Sequence, residues 1–336
     1  MSAQDVSPAV PGSVTTSTLT CIDLDRTVIY SPRALLLPGT DHEAPRLIVV
    51  EVYQGEPLSF VTEQSARLLP ALAAATHLVP TTTRTPLQLA RVDLPGVGRQ
   101  QPGTARTARP PSSGPSFAIA SNGGHLLVDG VPDEDWNLQV RRALSGCAPV
   151  QQVHAYLQEQ RGEFVDNLRT ASDLFVYCVV DRAALPAGWV VELSGWCAER
   201  GWGVSVQGRK IYCVPGPLTK SAAAREVQNR TGAGRLVAAG DSLLDAELLQ
   251  AADAAVRPAQ GELADTGWTT PGLHITTAAG VLGGEELVRW LLAEVRGHRR
   301  ASSPVGSPRC ASEASSTTCP LHAKDDPCSC GPSASP

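Results

Sequence analysis

Short apolar runs that end in acids or threonines alternate along this chain with stretches of helical periodicity, the arrangement expected of an α/β protein with a parallel sheet. The first run, Leu19-Thr20-Cys21-Ile22, ends in Asp23-Leu24-Asp25-Arg26-Thr27. Residues 46–53 and 58–62 flank Gln54-Gly55-Glu56-Pro57 and predict a hairpin with a turn. Residues 63–75 carry an apolar helical face despite Pro70 and lead into the strand His77-Leu78-Val79-Pro80, which completes a strand–helix–strand crossover. A further strand, Phe117-Ala118-Ile119-Ala120, enters an Asn122-Gly123 hairpin that returns through residues 125–130. Helical patterns follow around 136–144 and 150–160, then a strand at 174–180, a helix at 188–200 and a hairpin over 204–214. The last part reads as a helix (221–230), a strand (235–239), a helix (246–252), a short strand (254–256), a loop (258–270) and an amphipathic helix (285–296).

At 336 residues the chain exceeds one average domain, so a main domain carrying an insertion is expected. Residues 1–16 and 301–336 are polar and poor in apolar content and are expected to be a disordered leader and tail; 95–116 is expected to be a mobile surface loop. A net charge of −5 offers no basic footprint for nucleic acid. No apolar stretch is long enough to cross a bilayer and the first residues lack signal-peptide order, so a cytoplasmic protein without a membrane partner is expected. Nine cysteines, an odd count, suit reduced thiols. Cys319, His322, Cys328 and Cys330 in the tail match no standard zinc spacing. His154 is expected at the surface, and Trp189, Trp196 and Trp202 in a core.

The candidate chemistry lies where the apolar runs end. Strand side chains alternate faces, so Asp23 and Asp25 point the same way at a strand's C-terminal end, where open parallel sheets place ligands. The run 235–239 likewise ends in Gly240-Asp241-Ser242-Leu243-Leu244-Asp245, with the two acids four residues apart on a starting helix. Such a carboxylate cluster is the hard oxygen ligation that Mg²⁺ prefers. On spacing alone the first pair also fits an acidic strand-end turn, and the second fits helix-capping acids.

In order, these motifs resemble those of the haloacid dehalogenase-like (HAD) phosphatase superfamily. Asp23-Leu24-Asp25-Arg26-Thr27 is like its DxDxT, and Thr81-Thr82-Thr83-Arg84 is similar to the TGR ending its second core strand. Lys220 opens a helix after Gly216-Pro217-Leu218-Thr219, and Gly240–Asp245 is like GDxxxD. The Ser121-Asn122-Gly123-Gly124 hairpin is similar to the entry of the large cap in the Cof-type and sucrose-phosphatase-like branch, though it also fits an ordinary Asn-Gly turn.

The resemblance implies a Rossmann-like parallel-sheet core in two parts, 17–123 and 216–300, with an α/β cap inserted at 124–215. It implies a Mg²⁺-dependent phosphatase of a small phosphorylated metabolite, such as a sugar phosphate. Asp23 would be the nucleophile and Asp25 the proton shuttle, with Thr82 and Lys220 on the phosphoryl oxygens. Asp23, Asp25 (through its backbone carbonyl), Asp241 and Asp245 would serve the metal, and Asp245 would alternatively hold Lys220. Asn122, Gly123 and Arg26 would face the substrate. Arg26 stands where glycine is usual, and Leu244 where many capped relatives have asparagine. A phosphotransferase or mutase, or a phosphate-binding regulator without turnover, remain alternatives, and the oligomeric state is not legible.

Overall fold

The computed structural model describes residues 17–40, 42–97 and 115–302. The leader, most of the 95–116 loop and the cysteine-rich tail lie outside the described residues. The chain begins with β1 (Thr18–Ile22), the hairpin β2 (Leu47–Tyr53) and β3 (Glu56–Thr62), α1 (Glu63–Ala75), β4 (His77–Pro80) and α2 (Pro86–Leu89). It continues with β5 (Phe117–Ala120), β6 (His125–Val128), β7 (Val131–Pro132), α3 (Glu134–Ala143), α4 (Val150–Glu159), β8 (Val165–Ala171), β9 (Phe175–Val180), α5 (Trp189–Ala198), β10 (Trp202–Gln207) and β11 (Lys210–Pro215). The last elements are α6 (Lys220–Thr231), β12 (Arg235–Ala239), α7 (Ala246–Ala251), β13 (Ala254–Arg257), α8 (Glu262–Asp265), β14 (His274–Ile275) and α9 (Gly280–Ser302).

A five-stranded sheet in the order β14-β13-β12-β1-β4 pairs parallel throughout. β5 continues it beyond β4, through a parallel bridge of Thr81 to Ile119. The sheet is covered on both faces, and the alternation of its side chains explains why its strands read as continuous apolar runs. Leu19 and Cys21 of β1, with Leu236 and Ala238 of β12, pack into one cluster with Ala223, Ala224 and Val227 of α6 and Leu248 and Leu249 of α7. Ile22, Val237 and Ala239 face the other way, toward Leu69 and Leu72 of α1 and Leu287, Leu291 and Val295 of α9. The spacing on α9 is that of one helical face. Each fully buried leucine there is worth about 1.5–3 kcal/mol.

An antiparallel sheet in the order β10-β11-β9-β8 forms a separate layer with α4 and α5. Its interior holds Val153, Leu157, Phe175, Leu193, Cys197 and Ile211, all nearly inaccessible. Trp202 is buried, Trp189 packs edge-on to Phe164, and Trp196 stacks on Tyr156 with ring centroids 3.8 Å apart. The three tryptophans are thus occupied by packing.

Four local readings change. β8 was not anticipated: its Asp166, Asn167, Arg169 and Thr170 break any apolar run, as an edge strand tolerates. The hairpin turn is only Gln54-Gly55, both left-handed (φ 54° and 85°), because Glu56 and Pro57 already pair with β2. Four residues of the expected loop 258–270 form α8, and α9 begins five residues before the expected Glu285.

Candidate active site

β1 is flanked by β4 on one side and β12 on the other, and the C-terminal ends of these three strands converge. This is the crevice position at which open parallel sheets bind ligands. Asp23 follows β1 directly and is 5% exposed. Its Oδ1 accepts a hydrogen bond from Lys220 Nζ at 2.6 Å and its Oδ2 accepts one from Thr27 Oγ1 at 2.9 Å. Burial pushes the Asp23 carboxyl up to about 7 against the pull of Lys220, with Asp245 adding to the rise. Lys220 is the first residue of α6, whose start is fixed by the Thr219 side chain accepting from Ala222 N. Its ammonium is fully enclosed; burial alone would favour the neutral amine, but Asp23 and Asp245 keep it charged.

Asp245 accepts from Lys220 Nζ at 2.6 Å through Oδ1, and from Ser242 N and Oγ through Oδ2. Both of its oxygens are engaged in holding Lys220 and the motif loop. Gly240 makes this possible, since a Cβ there would stand 2.3 Å from the Asp245 carboxyl carbon. Asp241 differs. Among the described residues no N–H or O–H donates to its carboxylate, and Arg26 Nε approaches only to 3.4 Å. Burial, together with Asp23 and Asp245, drives the Asp241 carboxyl well above the usual range. Oxygens of Asp23, Asp241 and Asp245 lie within 4.8 Å of one another. A buried carboxylate short of donors, beside two more, fits a hard cation such as Mg²⁺. The Asp25 side chain is not part of that group.

Asp25 is held elsewhere. Arg84 Nε and Nη2 donate to its two carboxylate oxygens, each at 2.7 Å. Arg84 Nη1 pairs with Glu51 at 2.8 Å, and the fully buried Glu51 also accepts from Ser59 Oγ and Arg91 Nε. Burial would raise the Asp25 carboxyl, but the charge and hydrogen bonds of Arg84 hold it well below the usual carboxylate range. In this arrangement Asp25 is ionised, so donating a proton requires Arg84 to loosen its grip. Arg84 and Glu51 were not assigned roles from the sequence. The signals were present, in an arginine closing the Thr82 motif and in a lone acid inside the apolar run of β2.

Arg26 has φ 65°, the left-handed conformation that explains why glycine is usual there. Its carbonyl accepts from Gln260 Nε2 at 3.1 Å. Thr82 is buried, and its hydroxyl accepts from Arg84 N at 3.2 Å, which leaves its own proton to donate. Asn122 and Gly123, expected to face the substrate, are buried beside the segment that leads to Lys220, and the Asn122 Oδ1 has no hydrogen-bond partner among the described residues. They sit in a left-handed 3-10 turn, where Asn122 Nδ2 donates to Leu218 O at 2.7 Å. A Cβ at Gly123 would stand 2.2 Å from Thr219 O. Both therefore pack against the loop that leads from β11 to Lys220.

A cavity of about 560 Å³ opens over the strand ends. Asp25, Arg26 and Arg84 form its floor, Leu58 and Ser59 of β3 one wall, and Val179, Lys210 and Tyr212 of the antiparallel sheet another. Glu262 joins the two layers beside it, accepting from Ser205 Oγ at 2.6 Å, Val206 N at 2.5 Å and Leu243 N at 2.9 Å.

No family model and no curated protein matches the chain. Among solved structures, a sucrose-phosphatase from Synechocystis sp. in complex with sucrose and phosphate aligns with a TM-score of 0.52 and 13% identity, over 82% of this chain and 98% of that one. A trehalose-6-phosphate phosphatase related protein (TM-score 0.44, 15% identity, 83% and 99% covered) and a sugar phosphatase of HAD subclass IIB (0.46, 12%, 84% and 100%) align more loosely. At such identities the likeness is one of fold, and it rests on the first of the three. The chain shares the fold of that sucrose-phosphatase, an α/β architecture with a central parallel sheet that agrees with the resemblance of its motifs.

Proposed function

We propose that the protein is a phosphatase that hydrolyses the phosphate monoester of a small metabolite, with Asp23 as nucleophile. The observation that carries this reading is the buried Asp23 carboxylate, aligned by Lys220 and Thr27 at the mouth of the strand crevice. An Asp23 oxygen attacks phosphorus, the bond to the leaving oxygen breaks, and that oxygen takes a proton. Water then attacks the aspartyl-phosphate, returning the carboxylate and releasing inorganic phosphate. Lys220 and the Thr82 hydroxyl would bind the phosphoryl oxygens on which charge accumulates. Asp25, once released by Arg84 and protonated from solvent, gives that proton to the leaving oxygen and afterwards takes a proton from the attacking water. Asp23 and Asp241 would hold Mg²⁺, with Asp245 fixing Lys220 beside them; bound there, the ion would neutralise charge between carboxylate and phosphate.

The antiparallel layer with α4 and α5 acts in this reading as the lid. The cavity volume suits a small molecule and excludes a folded phosphoprotein. A sugar phosphate is consistent with the sucrose-phosphatase likeness. The test is release of inorganic phosphate from a panel of phosphorylated metabolites with and without Mg²⁺. Metal-dependent hydrolysis of small esters supports the reading. Binding of Mg²⁺ without turnover of any ester would favour a regulator instead.

A further inference from the structure

The cavity over Asp25, beside the buried Asp23, is cationic beyond what one phosphoryl group needs. Five of its lining side chains are basic, Arg26, Arg33, Arg84, Arg209 and Lys210, and one, Asp25, is acidic, although the whole chain carries a charge of −5. Three of the five are already matched. Arg84 binds Asp25 and Glu51, Arg26 lies against Asp241, and Arg209 pairs with Asp166. Arg33 and Lys210 have no carboxylate in ion-pair reach among the described residues; Lys210 Nζ lies 5.8 Å from the centroid of the Tyr177 ring.

Both residues stand on fixed backbone. Arg33 belongs to a 3-10 turn, Pro32–Ala34, that is tied to the start of α9 by Val281 N donating to Leu35 O at 3.0 Å. Lys210 opens β11 in register with Gln207 and Val179. One comes from the core layer and the other from the lid, both are exposed, and they line the same open cavity as the Asp25 floor. The groups placed for the reacting phosphoryl, Lys220 and Thr82, are not among these two.

We propose that the substrate carries a second anionic group, a carboxylate or a second phosphate, held by Arg33 and Lys210 while its phosphate ester reacts at Asp23. This rests on the phosphatase reading. It makes the substrate a phosphorylated sugar acid or a bisphosphate rather than a singly phosphorylated neutral sugar. It also makes binding of the second anion a link between lid and core, since the two cations come from different layers.

Matched pairs test it: 6-phosphogluconate against glucose 6-phosphate, and fructose 1,6-bisphosphate against fructose 6-phosphate, each with Mg²⁺. The expected result is a kcat/KM at least about tenfold higher for the doubly anionic member of one pair, carried by KM, since hydrogen bonds to charged groups are worth that much. The pair that shows the preference tells carboxylate from phosphate. Arg33→Ala and Lys210→Ala each lower the preference ratio by about tenfold, and Arg33→Lys and Lys210→Arg retain most of it. Equal kcat/KM within both pairs, or a ratio that the alanine variants leave unmoved, overturns the proposal. If no ester is hydrolysed, the phosphatase reading fails, and calorimetric binding decides this one alone. Tighter binding of 6-phosphogluconate or the bisphosphate, weakened in the alanine variants, upholds the second-anion subsite; equal or undetectable binding overturns it.

Discussion

Arg84 grips Asp25 with two parallel hydrogen bonds of 2.7 Å while its third nitrogen reaches the buried Glu51 at 2.8 Å. Paired fork-to-fork contacts of this kind fix orientation as well as charge. The carboxylate expected to shuttle protons is thereby held ionised and aimed, and the arginine is itself aimed by a residue on β2. Replacing Glu51 by Gln should leave Arg84 with one firm partner and weaken its hold on the Asp25 orientation. The expected outcome is a fall in kcat of about 10- to 100-fold, within the range of general acid–base contributions, and a displaced pH–rate profile. An unchanged profile would confine Glu51 to a structural part.

The same pair gives a stability prediction with a definite sign. The folded Asp25 carboxyl lies below its unfolded value of about 3.9, so its pairing stabilises the fold above that pH and the contribution is lost as pH falls toward the folded value. The difference in unfolding free energy between the parent and Asp25→Asn should therefore be greatest near neutral pH and should begin to narrow below about pH 4. Urea unfolding of metal-free protein across pH 3 to 7 measures it.

Lys220 is the cation that lets Asp23 and Asp245 share a dry site. Lys220→Met removes it and leaves the carboxylates uncompensated, which should cost about 3–5 kcal/mol of stability. Added Mg²⁺ should recover part of that loss, because the ion binds the folded cluster and not the unfolded chain. Denaturant unfolding with and without the metal checks both statements.

Gly123 sets the approach of the 3-10 turn to the Thr219 carbonyl, next to the start of α6. With φ 94° and 2.2 Å of room, Gly123→Ala demands both a strained backbone and a shift of residue 219. It should lower stability by about 1–3 kcal/mol or more and lower kcat by moving Lys220. A variant with parent stability and parent kcat would contradict the close approach.

The chain's own pattern revealed the strand ends and the order of the motifs, because a buried parallel strand is a short apolar run and its terminating acids stand out against it. Asp23 and Asp241 were legible for that reason. What could not be read were pairings made across the fold. The Arg84 clamp joins residues 59 positions apart, and the Glu262 latch joins residues 57 apart in different layers. A charged residue in sequence shows its charge but not the partner that satisfies it. β8 escaped notice because an edge strand with one solvated face lacks the apolar run, and the hydrogen bond from Asn122 Nδ2 to Leu218 O joins residues 96 positions apart. Arg26 was visible as a departure from glycine; that it keeps the glycine's left-handed backbone was visible only in the structure.

In the proposed mechanism Asp23 receives the phosphoryl group, and one measurement addresses this directly. Wild-type and Asp23→Asn protein are incubated with an aryl phosphate and Mg²⁺, quenched in acid, and examined by mass spectrometry for phosphate on residue 23, with turnover followed in parallel. The same is done for Asp25→Asn, which should still be phosphorylated by a good leaving group but should hydrolyse the adduct about 100- to 10,000-fold more slowly. The prediction is phosphate trapped on Asp23 in Asp25→Asn, and turnover lowered more than about 1,000-fold in Asp23→Asn with the fold intact. Turnover that persists in Asp23→Asn, or phosphate trapped on another residue, would contradict it.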